Sequence, residues 1–520
     1  MKLTGPQLLK RFSKAKQGRS NWEDLWQDIY DLVLPAREGF YETTPGEERN
    51  EEIFDETALV SLADFVSRIH QGVIPAHLMW FRLEPGPEIQ DPQERKQLQE
   101  QLDVVGAFIW DAIVNSNFVN EAQEVLTDIA IGWSTLIIDD GIDGKLLSFK
   151  CVPQCQTFWD VGGPNREVDG VFRVRYKTKI NDIKYIWPDA KISDALQAKA
   201  DGDPDAETNL VEASYRNWSE KRTPEYCYQI VAGEDKSLVI DDYERGLGAR
   251  PYVTPRWSVA AGEVYGRGPL VSALPAIRTT NLVTEMILEN SQMAISGLWQ
   301  VDDDGSINVD NVEIVPGAVY ARPPDSRGLE RTDSPSNFNV ADIVLSQQQE
   351  NIRKALFAQN LGPLNQTPRS ATEIQARMQD LAEQTAGPSG RLKVEWLDKM
   401  IQRIVWLLTR QGILEMPKVD GREVRIIAKS PLARAQKFEE IERIRGFAGD
   451  VIGMVGPQGG QLYLDHDVLV DELQAKWEVP QKLVRSEGER ERMMQGAAEA
   501  AQAQQETVPG GLPAQAEIGQ

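Results

Sequence analysis

Apolar residues recur at helical spacing through the first third of the chain. Gln7 to Lys16 and Trp22 to Leu34 read as two helices, the second carrying Trp22, Leu25, Trp26, Ile29, Leu32 and Val33 on one stripe and stopped by Pro35. Asp55 or Thr57 caps a helix through Ala58, Leu59, Leu62, Phe65, Val66 and Ile69, which Gly72 and Pro75 end. Helical stretches also span Gln93 to Ser116 and Asn120 to Ile131. From Ser134 to Arg256 the period falls to two. Thr135–Asp139 and Leu146–Val152 flank a Gly/Asp turn as a hairpin. Val171–Lys179, Leu210–Asn217, Glu225–Val231, Ser237–Ile240 and Tyr252–Arg256 continue as strands, with short helices at Asn181–Ile186 and Ile192–Ala200. This pattern predicts an α+β unit with a mostly antiparallel sheet.

Gly268-Pro269 then opens a helical run to Ser296, with Leu274, Ile277, Val283, Met286, Ile287 and Ala294 on one stripe. Pro275 either kinks it or marks its true first turn. The chain to Asn337 is rich in Asp, Gly and Pro, with strand signals at Leu298–Val301, Val312–Val315 and Ala318–Ala321. A second helix is predicted over Val340 to Asn360, followed by a polar loop to Arg369. A third runs from Ser370, at a capping-box spacing to Glu373, to Gln411, broken near Gly387-Pro388-Ser389-Gly390. At about 1.5 Å per residue the first two helices are roughly 30–45 Å long. Two such helices, joined by a small β module at one end and a loop at the other, make a rod that buries its stripe only against neighbouring copies or a partner. A ring is the natural inference. Beyond Ile413 come a strand at Glu423–Ala428 and charged helices at Ala433–Phe447 and Val468–Trp477. Gln495 to Gln520 has the composition of a disordered tail, and no internal repeat is visible.

Composition narrows the function. The chain has 520 residues, 41% hydrophobic, which suffices for a sizeable core. Its 80 Asp+Glu against 56 Lys+Arg give a formal charge of −24, which argues against a protein that grips nucleic acid by neutralising phosphates. Cys151, Cys155 and Cys227 are too few for a disulfide framework and fit a reducing interior. The basic N-terminus has no apolar core of a secretory signal, and no uncharged run approaches the roughly 18 residues of a membrane span. A soluble protein with no membrane partner is expected.

Catalytic chemistry is hard to find. No phosphate-cradling G-x-x-x-x-G-K-[ST] is present, and Gly266-Arg267-Gly268 reads better as a helix-start turn than as a dinucleotide fingerprint. His70, His77 and His466 are not spaced as ligands or a triad. Cys151 and Cys155 lack the second pair of a zinc site. Asp201, Asp203, Asp205 and Glu212 fit positions one, three, five and twelve of a calcium loop, as do Asp302, Asp304, Ser306 and Glu313. Both lack the glycine at position six, having Ala206 and Ile307, so solvated turns are the better reading. Trp22, Trp26, Trp396 and Trp406 sit on element faces and read as packing or subunit-contact residues. No cofactor and no enzyme activity are expected.

Several stretches, taken in order, resemble the head-to-tail connecting (portal) proteins of short-tailed bacteriophages. They are Ile53-Phe54-Asp55-Glu56-Thr57-Ala58 through Ile74-Pro75 and Trp80-Phe81, and Gly132 with Leu136-Ile137-Ile138. Gly266-Arg267-Gly268-Pro269 through Asn281 follows, then Ala371-Thr372-Glu373-Ile374 with Arg377, and Gly387-Pro388 with Gly390-Arg391-Leu392. The resemblance spans about residues 1–480. It implies a ring of about twelve copies at one capsid vertex, assembled in the bacterial host cytoplasm, through which double-stranded DNA is packaged and ejected. Terminase, tail adaptor, scaffolding and major capsid proteins are its implied partners.

On that anatomy residues 1–267 are N-terminal helices and wing, 268–297 a descending stem helix, 298–339 a clip and 340–361 an ascending stem helix. Residues 362–369 are a tunnel loop, 370–432 the long wing helix and strands, 433–483 a crown and 484–520 a tail. Asn365, Gln366 and Arg369, with Arg353 and Lys354 on the adjoining helix, are the candidates for facing DNA. Arg353 and Lys354 serve equally well in an intersubunit ion pair. Asp302, Asp303, Asp304, Arg322, Arg327 and Arg331 are candidates for docking terminase and then adaptor. An acidic lining with few positive residues is expected to let DNA slide. A scaffold or tail-tube protein, or a metal-dependent hydrolase, are the competing classes.

Overall fold

A computed structural model describes residues 2–41, 46, 49, 51–142, 144–162, 167–218, 224–296, 298–301, 329–332, 338–358, 384–415, 419, 421–429, 431–465, 468–470, 472–473 and 493. The chain divides into two units, Met1–Ala433 and Arg434–Gln520.

The first unit is α+β, as expected. Helix α1 (Gly5–Val33) is continuous where the sequence suggested two helices. Gly18 costs about 1 kcal/mol inside a helix, but Arg19 beside it turns inward and is only 3% exposed. Its guanidinium donates to the carbonyls of Gln154, Cys155 and Thr157 at 2.8–3.0 Å and lies 3.7 Å over the Phe158 ring. That anchor carries the helix through the apparent break. Helix α2 (Thr57–Val73), strand β1 (Phe81–Pro85) and helices α3 (Pro92–Val114) and α4 (Phe118–Ile131) follow. Among the described residues no single helix is long and apolar enough to cross a membrane.

The predicted hairpin forms as β2 (Leu136–Asp140) and β3 (Leu147–Cys151), with β9 (Tyr252–Val253) on the far side of β2. The free edge of β3 is closed by side chains. Asn117 exchanges hydrogen bonds with the Phe149 backbone at 2.7 and 2.9 Å, and Glu121 accepts from the Cys151 N–H at 2.6 Å.

Five antiparallel strands make the larger sheet, in the order β4 (Thr157–Gly162), β5 (Glu167–Lys179), β6 (Glu207–Asn217), β7 (Glu225–Ala232) and β8 (Leu238–Arg245). Alternation along the strands gives two faces. Phe158, Phe172, Val211, Ala213, Cys227 and Val231 pack under α1 through Leu8 and Ala15. On the other side Leu210, Ile230 and Ala232 meet the short helices α5 (Ile183–Ile186) and α6 (Asp194–Gly202) through Ile183, Leu196 and Ala200. The first calcium-loop template is dispersed by this arrangement. Asp205 pairs with Lys179 at 2.6 Å, while Glu212 is buried 3.0 Å from Arg175; burial pushes its pKa up, but Arg175, Arg173 and hydrogen bonds from Tyr252 and Tyr228 together bring it below the usual value. The second template lies outside the described residues.

Helix α7 (Pro269–Ser296) begins where the sequence placed it and carries Pro275 inside. Strands β10 (Leu298–Val301) and β11 (Leu329–Thr332) pair antiparallel, and α8 (Phe338–Ala355) packs back against α7. The other strand signals of that insertion lie outside the described residues. The expected break falls at Thr385, directly before Gly387-Pro388-Ser389-Gly390, and helix α9 (Ala386–Leu392) starts there with Pro388 in its first turn, where no partner for its nitrogen is needed. A π turn at Lys393–Leu397 leads into α10 (Asp398–Arg410). Strand β12 (Val424–Ala428) then pairs with β1, joining segments 340 residues apart in the chain (Leu83 opposite Ile426). The helix α11 (Pro431–Tyr463) crosses into the second unit and extends past the predicted end at Phe447 to a kink at Gly456, whose φ of 74° leaves the helical region.

Arg403 of α10 is the tightest tie between these layers. At 1% exposure it donates to the Ile138 carbonyl at 3.0 Å and the Ala249 carbonyl at 2.7 Å, and pairs with Asp139 and Glu244 at 3.2 and 3.3 Å. Burial raises the pKa of both carboxylates, which Arg403 opposes. Arg403→Ala is expected to destabilise the chain by about 3–5 kcal/mol in denaturant unfolding, because it empties a buried position and leaves the Ile138 and Ala249 carbonyls without their donor.

Asp128 of α4 is fully buried, with its carboxyl pushed up to about 6 by burial, against the opposing pull of Arg37 and of hydrogen bonds from Cys151 and Ser134. A carboxyl that holds its proton more tightly folded than unfolded costs stability as pH rises from about 4 to 6, and the loss persists above that window. Thermal melts from pH 4.5 to 7 should therefore show the wild type losing ground to Asp128→Asn as pH rises.

Candidate functional site

Three of the stretches that carried the family resemblance, residues 53–58, Gly132 and residues 266–281, converge at the root of α7 and α8, while 371–377 lie outside the described residues. The first contact is between backbones. The α4 helix ends at Gly132 with φ 148°, and the segment Gly266-Arg267-Gly268 lies directly on it. Gly268 N–H donates to the Ile131 carbonyl at 2.7 Å, and Trp257 N–H donates to the Gly132 carbonyl at 2.8 Å. A methyl group built on Gly266 would overlap the Gly132 carbonyl oxygen, and one on Gly268 would overlap that of Ala130. The glycines are thus a zero-clearance seat for the start of α7, and the helix-start reading of Gly266–Gly268 is the one the structure takes.

An aromatic cluster surrounds that seat. Trp26, Trp133, Trp159 and Tyr265 have ring centroids 4.7–5.3 Å apart, and the Tyr265 hydroxyl accepts from the Trp159 backbone N–H at 3.0 Å. Trp22 stacks on Trp26 at 5.6 Å, and Trp396 is fully buried. Trp406 donates to the Arg245 carbonyl at 2.9 Å beneath the guanidiniums of Arg403 and Arg410. The four tryptophans singled out from the sequence are therefore packing residues within the chain.

The second contact is polar. Asn281, three turns into α7, accepts from the Phe54 N–H at 2.7 Å and the Asp55 N–H at 3.3 Å, and donates to the Glu52 carbonyl at 2.8 Å. Asp55 in turn accepts from the Thr57 N–H and hydroxyl at 3.1 and 2.6 Å, which starts α2, and from Gln349 of α8 at 3.4 Å. One carboxylate and one amide so tie α2, α7 and α8 together. Phe357, in the left-handed region at φ 54°, closes the end of α8 against Phe65 and Trp257. Sequence reasoning named Asp55 as a cap of this helix, as the structure has it, but Asn281 only as part of a signature; an amide inside an apolar stripe was the available signal for this pairing. Gln349 and Phe357 gave none.

Of the DNA-facing candidates, Arg353 and Lys354 lie on the last turn of α8. Lys354 is exposed and pairs with Glu350 of its own helix at 3.8 Å, a contact worth at most about 0.5 kcal/mol. Arg353 is half-buried. Asn365, Gln366 and Arg369 lie outside the described residues, as do Asp302, Asp303, Asp304, Arg322 and Arg327. Arg331 falls on β11 opposite Trp299.

Together α7 and α8 contain four acids (Glu285, Glu289, Asp342, Glu350) and three bases (Arg278, Arg353, Lys354), a net charge of −1. The charges of the two helices nearly cancel. The α8 face from Asp342 to Lys354 sets Ser346, Gln347 and Asn351 among Asp342, Glu350 and Lys354. Beside it lie apolar side chains with no partner among the described residues: Leu282 and Met286, one turn apart on α7 and each 50% exposed, and Ile343 on α8 at 67%. Among the described residues no group of three or more His, Cys, Asp or Glu is placed to hold a metal ion.

The comparisons with known proteins agree with these signatures. The family model described as bacteriophage head to tail connecting protein matches residues 6–484. A probable portal protein of Bordetella phage BPP-1 is 22% identical over 477 residues, which are 86% of this chain and 83% of that protein. The portal protein of Salmonella phage epsilon15 is 21% identical over 482 residues, 85% of this chain and 82% of the relative. Among solved structures, a chain from the virion of a native gene transfer agent particle aligns at TM-score 0.35 and 12% identity, over 81% of this chain and 94% of that one. A likeness at that score adds nothing to the argument.

Gly266→Ala is expected to prevent α7 from seating, giving aggregated or protease-sensitive chain. Asn281→Ala should fold with reduced stability, by about 1–3 kcal/mol for the unpaired groups it leaves; denaturant unfolding and limited proteolysis at residues 52–57 would separate the two.

Proposed function

The chain belongs to the bacteriophage head to tail connecting protein family, and from that premise we propose that it forms the portal ring of a tailed-phage virion, a closed assembly of about twelve copies around a channel for double-stranded DNA. The observation that carries the assembly is the apolar surface left bare on α7 and α8. Leu282, Met286 and Ile343 would be costly to keep in water on two adjacent helices, and a neighbouring copy is the partner that covers them identically around a ring.

Its role is mechanical. Bond chemistry is left to a separate terminase motor, which docks on the clip, residues 298–339, through Asp302, Asp303, Asp304, Arg322, Arg327 and Arg331. The tail adaptor later takes the same surface. Scaffolding and major capsid proteins meet the ring during assembly in the host cytoplasm. The stem is α7 and α8, and Arg353, Lys354, Asn365, Gln366 and Arg369 face DNA at the tunnel loop, residues 362–369. Each phosphate neutralised by a cation would add a salt-dependent hold on the DNA. The small net charge of α7 and α8 supports a different route to low friction, in which DNA is neither held nor strongly repelled.

Electron microscopy and native mass measurement of the purified full chain test this. A closed ring with a central channel is expected, and a stable dimer or an assembly without a channel would overturn it. Leu282→Glu with Met286→Glu should abolish the ring while shifting the stability of the isolated chain by no more than about 0.5 kcal/mol per site, as for other exposed positions.

A further inference from the structure

The edge of a sheet exposes a row of N–H and C=O groups, and this chain closes several such rows with its own groups. Asn117 and Glu121 close β3. On β4 the Tyr265 hydroxyl takes the Trp159 N–H at 3.0 Å. Along β8 the carbonyls of Val239, Asp241 and Arg245 accept from the Lys191 N–H, the Lys2 ammonium and the Trp406 indole at 2.8–2.9 Å.

The two-stranded sheet of β1 and β12 is guarded on one side only. Lys429 N–H donates to the Trp80 carbonyl at 2.7 Å and Gly86 N–H to that of Glu423 at 2.8 Å, which sets the alternation of the ladder. Arg82 and Glu84 therefore bond to Ile427 and Arg425, while Leu83, Pro85, Val424, Ile426 and Ala428 turn their backbone groups outward. A methyl group on Gly86 would overlap the Arg422 carbonyl, so the two segments touch there and hold this register. On β1 the outward carbonyls of Leu83 and Pro85 accept from Gln99 and Arg95 of α3 at 3.1 and 3.5 Å, and Pro85 has no N–H to expose. On β12 the Val424 carbonyl takes the Gly421 N–H at 2.9 Å. The N–H and C=O groups of Ile426 and Ala428 have no hydrogen-bond partner among the described residues. Both residues are half-buried, where unpaired backbone groups are costly. Arg425, the one charge on the strand, is turned to Glu84 across the ladder at 2.9 Å and does not blunt the edge.

We propose that the outer edge of β12 receives an extended strand from a second copy of this chain, paired through the backbones of Ile426 and Ala428. Two strands alone make a marginal sheet, and a third completes it. The incoming strand would alternate, with apolar side chains continuing the buried face of Phe81, Leu83 and Val424 and polar ones beside Arg82, Glu84 and Arg425. A second copy is the occupant because every subunit of a ring carries the same edge and needs one strand for it, and an edge left open invites uncontrolled pairing. Only the identity of the occupant rests on the ring reading; the open edge does not.

Hydrogen exchange of the full chain, followed from dilute to assembled concentrations, tests this. The Arg425 and Ile427 amides face β1 and should be protected throughout. The Ile426 and Ala428 amides should exchange fast when dilute and slow by about tenfold or more on assembly. Ile426→Pro deletes one outward N–H and should abolish the slowing at Ala428 while the dilute chain stays folded; Ala428→Pro, read at Ile426, serves if the first variant folds poorly. Fast exchange of both amides at every concentration would overturn the proposal and leave the edge to water. Slow exchange at every concentration would overturn it too, since the strand would then come from the same chain, as would slowing that appears only when another virion protein is added. Microscopy of the same samples judges the ring. A ring with unslowed amides defeats the strand alone, and slowed amides in an assembly without a channel defeat the ring alone.

Discussion

Everything about the placement of α7 follows from a contact in which no side chain takes part. The end of α4 and the segment before α7 approach until carbonyl oxygens fill the volumes that side chains would need at Gly266 and Gly268. Hydrogen bonds from Gly268 and Trp257 then fix the register of the approach. Because the seat has no slack, the direction of a 28-residue helix is set at its first turn. The Trp26, Trp133, Trp159 and Tyr265 cluster stiffens the seat from below. Asn281 and Asp55 repeat the constraint three turns further along, now through hydrogen bonds to α2 and α8. A long helix held at two levels by short-range contacts transmits load as a lever rather than bending at its base, which is what a conduit under packing force requires.

The same economy explains how so acidic a chain is held together. Its layers are clasped by buried arginines that mostly address backbone carbonyls: Arg19 ties α1 to the sheet, and Arg403 ties α10 to the β2 hairpin. Carbonyls in a loop or at a strand end have no partner along the chain, and a planar guanidinium with five donors satisfies several at once. Acids then act as counter-charges on the outer rim of each clasp, as Asp139 and Glu244 do for Arg403. The abundance of Asp and Glu is therefore compatible with a cationic framework inside.

How much of this the sequence displayed depended on the distance over which each element is decided. The start of α7 was legible because Gly266-Arg267-Gly268-Pro269 is a local stop-and-start signal, and the β2–β3 hairpin because its turn is local too. Strand β12 was visible but its partner was not, since nothing near Glu423 points to Phe81. Strand β4 was missed because it follows directly on a short 3-10 turn at Gln154–Gln156 and has no alternation of its own. The continuity of α1 was hidden because Gly18-Arg19-Ser20 looks like a polar break, and only the sheet it packs on reveals Arg19 as a core residue. At the site, the signature residues were found but their role was misplaced. They attracted notice as family marks, and the structure makes them the joint at the root of α7.

The charge of −24 also reads differently once it is placed. If electrostatic repulsion were the means of keeping DNA moving, the helices proposed to surround it would be the place to concentrate acids. Their net charge is −1 over 46 residues, and the α8 face sets Gln, Asn and Ser beside two acids and one lysine. Neutral amides exchange hydrogen bonds with water and phosphate at little net gain, so they release few counterions and impose little salt dependence. Strong repulsion, by contrast, would have to be overcome by the motor for every base pair that enters. A near-neutral wall lowers both the binding and the repulsive barriers, while acids on the rest of the subunit keep the assembly soluble and away from nucleic acid elsewhere. Low friction and acidity are on this view separate properties, carried by different surfaces of the same chain.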